Sequence, residues 1–200
     1  MSEQFFSVMH SIPVNVEPLP AGSEAPSLVA LEAELPTPFR IAGAISHVDV
    51  GTARQLRNMG DEFGVLVDVI NQQSAKINVL LSYLLSQQDD PAQRRYTQRF
   101  GGSELVFANP QPLAVGTLLR LKLFLTDQAS AIYCYGQVVD NTADEETVLI
   151  TVHYVALRPD DQEVLVRASL SIQSQQLKQR AEQRLHAARQ ANTPSAPSIE

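Results

Sequence analysis

The chain has no tryptophan and a single cysteine, Cys134, in 200 residues. One cysteine permits neither an internal disulfide nor a multi-cysteine zinc site, and it fits a reducing, cytoplasmic setting. With no catalytic signature around it, Cys134 reads as a core residue of a strand. The four histidines, His10, His47, His153 and His186, lie far apart. None has metal-ligand spacing with another His, Cys or acid, so no metal is expected, and His153 reads as a surface residue. Charged residues are sparse at 18 %, and the net charge is −7. That sign argues against a general binder of the phosphate backbone, so no nucleic acid is expected as a partner. No run of about 18 apolar residues exists, so no membrane insertion is expected. The opening MSEQFFSVMHSIPV has an acid and no basic start, unlike a secretory signal. No nucleophile elbow, kinase set or dinucleotide fingerprint is present. Gly101-Gly102-Ser103 lacks the Lys-Ser/Thr ending of a phosphate loop and reads as a flexible turn. A non-enzymatic protein without a cofactor is the expectation.

What the sequence does have is a heptad stretch over residues 52–88. Leu56, Phe63, Ile70, Ile77 and Leu84 fall seven apart. Met59, Leu66 and Leu80 follow three positions after members of that series, and Val67 and Leu81 follow four after. This is an a/d pattern widened by an e position. A helix of that length would span roughly 55 Å, longer than a domain of this size is wide. Its seam needs a partner, and the expected one is the same seam on another copy; packing on the chain's own core is the alternative. Gln73 and Gln87 sit at d, where a polar residue costs stability and fixes register. Gly60 and Gly64 cost about 1 kcal/mol each against Ala, and a kink or break near residue 62 is favoured over close backbone approach. Ile at a with Leu at d favours two strands, whereas the broad a/d/e face favours more.

The remaining elements are short. Residues 4–18 read as a strand that Pro13 confines to an edge or a strand start. Ser27 to Leu35 reads as a short helix with Leu28, Leu31 and Leu35 on one stripe. Residues 39–50 are ambiguous between strand and helix, and Asp49 or Thr52 is a candidate cap for the long helix. Asp89-Asp90-Pro91 ends that helix. Beyond residue 92, strands are predicted at Glu104–Ala108, Thr117–Leu125, Ala131–Val139 and Thr147–Ala156, separated by turn signals. Leu119, Leu121, Leu123 and Leu125 share one face, with Arg120 and Lys122 on the other. Val148, Ile150, Val152 and Tyr154 share a face likewise, and Glu145-Glu146 reads as a solvating hairpin. The pattern implies an antiparallel sheet or a small barrel of five or six strands. Pro159 with Asp160 and Asp161 opens a last helix. Its stripe runs through Val164, Ala168, Ile172, Leu177, Ala181 and Leu185. Its basic end, Lys178, Arg180, Arg184 and Arg189, reads as a solvated helix terminus, with an anionic partner as the alternative.

Residues 94 to about 170 resemble a PilZ domain. The carriers are a basic stretch, Leu105-Val106-Phe107, the run LAVGTLLRLKLFL, the step Gly136-Gln137-Val138, the strand Val152-His153-Tyr154 and a helix opened by two Asp. The resemblance implies an α+β fold: a six-stranded antiparallel β-barrel with a long inserted coiled-coil helix and a C-terminal helix. The organisation implied is a first barrel strand in 1–20 and a Pro-rich connection with a short helix in 21–51. The heptad helix follows in 52–90, the rest of the barrel in 92–158, the last helix in 159–190 and a disordered tail in 191–200.

Such domains usually bind cyclic di-GMP through Arg-x-x-x-Arg and Asp/Asn-x-Ser-x-x-Gly. Guanidiniums grip its phosphates and guanine edges. Aligning Leu105-Val106-Phe107 places Arg99, Gly101 and Glu104 at the second motif's positions, and none matches. Arg95-Tyr96-Thr97-Gln98-Arg99 spells Arg-x-x-x-Arg at the wrong place, so Arg95 and Arg99 read as solvated basic residues. A residual nucleotide contact by this pair is the alternative. Degenerate members of the family with an inserted heptad helix assemble as tetramers through a parallel bundle and act in signalling connected with type IV pili, motility or virulence. The resemblance therefore implies an oligomeric adaptor with an unidentified protein partner, a homotetramer in preference to a dimer. Its seam is Leu56, Phe63, Leu66, Ile70, Ile77, Leu80 and Leu84. Cyclic di-GMP enters only under the alternative built on Arg95 and Arg99.

Overall fold

The computed structural model describes residues 7–46, 64–144 and 147–191. Its strands are β1 (Ser7–Met9), β2 (Pro13–Pro18), β3 (Arg94–Gly101), β4 (Glu104–Asn109), β5 (Leu118–Leu125), β6 (Ser130–Asp144) and β7 (Thr147–Ala156). The helices are α1 (Leu28–Glu34), α2 (Thr37–Ser46), α3 (Gly64–Ser86) and α4 (Pro159–Ala191). All strand pairs are antiparallel. They run β3-β2-β5-β6-β7-β4, and β4 pairs back onto β3, which closes a six-stranded barrel. Closure removes the free edges that an open sheet would expose.

The first strand is one line with a break in it. β1 pairs with Arg99–Gly101 of β3 and β2 with Arg94–Tyr96, and the chain bends between them at 10–12. Thr97 holds the bend: its hydroxyl accepts from Ile12 N at 3.0 Å and donates to the His10 carbonyl at 2.8 Å. Pro13 stands at the start of β2, which lies between β3 and β5 rather than at an edge.

Two cores sit on the two sides of this wall. Leu119, Leu121, Leu123 and Leu125 point inward with Val14, Phe100, Phe107, Ile132, Cys134, Ile150 and Val152. Val164, Leu165 and Ala168 of α4 close one end of that interior. The second core lies outside the barrel. Leu118, Phe124, Tyr133 and Tyr135 on the outer face of β5 and β6 are buried under Leu31, Leu35, Phe39 and Ala42 of the α1–α2 segment. Leu81 and Leu85 from the last turns of α3 complete it. The α1–α2 segment is therefore a covering layer. Arg120 and Lys122, on the face of β5 opposite the leucines, lie in its rim. Arg120 Nη1 meets Glu17 Oε2 at 3.0 Å, its Nε donates to the Tyr135 hydroxyl at 3.2 Å, and Lys122 Nζ donates to the Gln88 carbonyl at 3.4 Å. Burial pushes the Tyr133 hydroxyl pKa upward, with a hydrogen bond to Tyr135 adding to the shift.

Several expectations are corrected. Residues 94–101, expected as a basic stretch, form β3, held by pairing with β1, β2 and β4 and with Thr97 and Phe100 buried. The ambiguous run after residue 38 is helical within α2, packing Phe39 and Ala42. Leu28 is exposed, so the α1 stripe reduces to Leu31 and Leu35. Leu177 and Ala181 of α4 are also exposed, just past Gln176, whose Nε2 donates to the Met9 carbonyl of β1 at 2.9 Å. The Gly102–Ser103 bend is held rather than flexible, with Gln162 Nε2 donating to the Gly102 carbonyl at 3.0 Å. Gly136 is required by proximity: a β-carbon there would lie 3.1 Å from the His153 carbonyl and 3.1 Å from Leu121 Cδ1. At the mouth of α4, Arg158 forms two 2.8 Å bonds to the buried Asp161 carboxylate.

Candidate functional site

The C-terminal end of α3 is fixed to the barrel through Leu81 and Leu85. α3 ends at Ser86, so Gln87 lies beyond the helix and is not a d residue of the seam. The chain then turns through Asp89 and Asp90, which are clamped by Asn15 of β2. Asn15 Nδ2 donates to Asp89 Oδ1 at 2.8 Å and to the Asp90 carbonyl at 3.0 Å, and its Oδ1 accepts from Asp90 N at 2.9 Å. Asp89 also pairs with Arg94 at 2.8 Å, and that hydrogen bond and charge raise the Arg94 pKa.

Within α3 the buried residues are Val67, Leu81 and Leu85. In heptad terms these are e, e and b. The e positions, read from sequence as part of the seam, are covered within the chain itself. The a/d positions are left open: Ile77 is 46 % exposed and Leu80 70 %, with Leu66 and Leu84 also exposed and Ile70 half-buried. Gln73 is exposed between Ile70 and Ile77. Leu56, Met59, Gly60 and Phe63, the candidate caps Asp49 and Thr52, and the kink near residue 62 lie outside the described residues. The c and g positions escaped the sequence reading. Val65, Val69, Val79 and Tyr83 are exposed on the flank opposite the covered one. Counting the same heptad at c and g would have found them.

The two arginines of the Arg-x-x-x-Arg run are not brought together. Arg99 pairs with Glu104 at 2.9 Å across β3 and β4, and His153 Nε2 of β7 lies 3.4 Å from the other Glu104 oxygen. A carboxylate thus occupies the position where the family's motif has Gly, and it is engaged by both neighbours. Arg95 points elsewhere. Its Nε donates to Asn109 Oδ1 at 2.8 Å and its Nη1 to the Arg94 carbonyl at 2.8 Å. It lines an open groove of about 420 Å³ with His10, Ser11, Arg94, Tyr96, Thr97, Gln98 and Ala108. The groove forms where the break between β1 and β2 faces the register shift at residue 98 of β3. Neither arginine is a freely solvated side chain, which corrects the simpler reading.

Cys134 is fully buried in β6, and burial pushes its thiol pKa up. His153 is exposed on its strand. Among the described residues no three His, Cys, Asp or Glu side chains converge as metal ligands. No helix among them is long and apolar enough to cross a membrane.

No family model matches the chain. No curated protein matches it either. Solved structures do. A protein of Xanthomonas campestris, described as pathogenic and as a tetrameric PilZ domain self-assembled via a helical bundle, superposes with a TM-score of 0.54 at 14 % identity. The match covers 89 % of this chain and 90 % of that one. The inhibitor of motility of Bacillus subtilis gives 0.47 at 10 % identity over 88 % and 53 % of the two chains. The PilZ domain of Escherichia coli YcgR, with cyclic di-GMP, gives 0.37 at 11 % over 47 % and 83 %. The closed six-stranded antiparallel barrel, its C-terminal helix and the superposition along nine-tenths of the chain establish a PilZ-like α+β fold.

Proposed function

We propose that this chain is a non-enzymatic, oligomeric PilZ-like signalling or adaptor protein of the cytoplasm. It self-associates through the a/d seam of the heptad helix, as a homotetramer in preference to a dimer, and presents its barrels to a protein partner. Several barrels on one bundle raise the effective concentration for a repetitive partner. The usual cyclic di-GMP site is lost. The observation that carries the reading is the unpartnered apolar seam on α3. The tetrameric helical-bundle assembly of the Xanthomonas protein supports it, as does the Arg99–Glu104–His153 cluster at the second motif's place. Connection with type IV pili, motility or virulence rests on the family resemblance. So does the division into barrel, connection, oligomerisation helix and C-terminal helix as functional units.

A second reading keeps a divergent cyclic di-GMP site on Arg95 and Arg99. Arg95 favours it, because it lines the groove and is held by Asn109 and a carbonyl. Calorimetric titration with cyclic di-GMP, with light scattering on the same sample, separates the two. The adaptor reading expects no heat at micromolar ligand and a mass of more than one chain. Saturable binding that disappears in Arg95→Ala/Arg99→Ala would establish the second reading. A single-chain mass would remove self-association.

A further inference from the structure

Resting on the adaptor reading above, we propose that the groove at the break in the first strand docks an acidic segment of the protein partner, with a partner carboxylate on Arg95. Local geometry makes the groove. The first strand bends at 10–12, where Thr97 bonds to Ile12 N and to the His10 carbonyl. On β3, Gln98 is left over between the pairs Thr97–Phe107 and Arg99–Val106 with β4. An extra residue of this kind bends its strand and re-aims side chains. Bend and bulge together open about 420 Å³ lined by His10, Ser11, Arg95, Tyr96 and Gln98 among others.

Charge selects the occupant. β3 carries three arginines, and two are spent. Arg94 is neutralised by Asp89 at 2.8 Å and Arg99 by Glu104 at 2.9 Å. Arg95 is tied down by neutral groups only, through Nε to Asn109 Oδ1 and Nη1 to the Arg94 carbonyl, both at 2.8 Å. Among the described residues no carboxylate pairs with it, and its Nη2 is left to donate. In a chain of net charge −7, this guanidinium is a positive charge held in place and uncompensated. Immobilised in advance, it loses little entropy on gripping a carboxylate. Tyr96, 55 % exposed, stands in the same lining. Arg and Tyr are among the side chains that most often anchor protein–protein contacts. Ser11 and Gln98, both exposed, add a hydroxyl and an amide. One free guanidinium suits a single carboxylate better than a ligand with two phosphates, which calls for several. An open groove also admits an extended chain.

The test is fluorescence anisotropy of labelled hexaglutamate titrated with the full-length protein at low salt, with labelled hexaglutamine as the uncharged control. The expected result is saturable binding of hexaglutamate alone. It should weaken roughly tenfold in Arg95→Gln and stay unchanged in Arg167→Gln, which removes an exposed positive charge from α4. Gln98→Glu should weaken it as well, by placing a like charge in the groove. That exposed change carries the test if Arg95→Gln fails to fold by circular dichroism. Absence of binding, equal binding of hexaglutamine, or an equal loss in Arg167→Gln overturns the groove assignment. So does unchanged affinity in either folded groove variant. Displacement of the probe by cyclic di-GMP, with saturable heat of its own, overturns the adaptor reading. A probe that fails to bind, without nucleotide heat, overturns the groove alone.

Discussion

Asn15 is one of the residues through which the barrel holds the end of the heptad helix, and its removal gives a measurable prediction. The side chain is 1 % exposed. It makes three hydrogen bonds to the turn after α3: two from Nδ2, to Asp89 Oδ1 and the Asp90 carbonyl, and one accepted from Asp90 N. In Asn15→Ala the Asp90 N–H loses its partner in a part-buried place, while the Asp90 carbonyl keeps its bond from Gln93 N and Asp89 its ion pair with Arg94. A neutral bond is worth about 1 kcal/mol and a bond to a charged group about 1.5–3. The expected loss is therefore about 3–5 kcal/mol. For a chain of this size each kcal/mol moves Tm by roughly 2–4 °C, so a fall of about 10 °C is expected. Thermal melts must be compared at one protein concentration, since association with other copies adds stability. The mass of the assembly should not change, because the seam is untouched. A Tm within about 2 °C of wild type would refute the clamp. A changed mass would show that Asn15 acts on the seam as well.

Ile70→Asp with Ile77→Asp should dissociate the assembly into single folded chains, because each Asp puts a charge with a desolvation penalty of several kcal/mol into the seam; an unchanged mass would mean the a/d face is not the interface. Gln73→Leu removes the one polar residue from the a/d positions 66, 70, 73, 77, 80 and 84. It should therefore tighten association, shifting the dissociation midpoint to roughly tenfold lower concentration in a dilution series; a midpoint that rises would show that Gln73 contributes a favourable bond. Gly136→Ala should lower stability by about 1–3 kcal/mol in urea unfolding, since its new methyl meets Val152, the His153 carbonyl and Leu121. A neutral outcome there would mean β5, β6 and β7 can separate at no cost.

Legibility followed the physical range of each signal. The Leu119–Leu125 alternation was readable because a strand side chain faces one side or the other by parity alone. Pro13 was readable as a strand start because it has no N–H to give. β3 was not readable, because Arg94-Arg95-Tyr96-Thr97-Gln98-Arg99 has no apolar alternation. Thr97 is buried there only because Ile12 and His10, more than eighty residues earlier, supply its hydrogen bonds. The candidate nucleotide motif was misleading for a related reason. Arg95 and Arg99 sit four apart in one strand, but the register shift at residue 98 and the pull of Asn109 and Glu104 separate their guanidiniums.

The heptad helix divides the two kinds of information most clearly. Periodicity alone marked residues 52–88 as a helix with apolar residues at a, d and e, since 3.6-residue periodicity is a local property of the chain; the described part runs over Gly64–Ser86. Which of those faces is already covered follows from packing against distant segments. Val67 and Leu81 are buried within the chain, Leu81 in the covering layer over β5 and β6, while Leu66, Ile77, Leu80 and the c/g flank stay open. Periodicity counts apolar residues but cannot say whether the chain's own barrel or another copy covers them. That depends on contacts between segments dozens of residues apart.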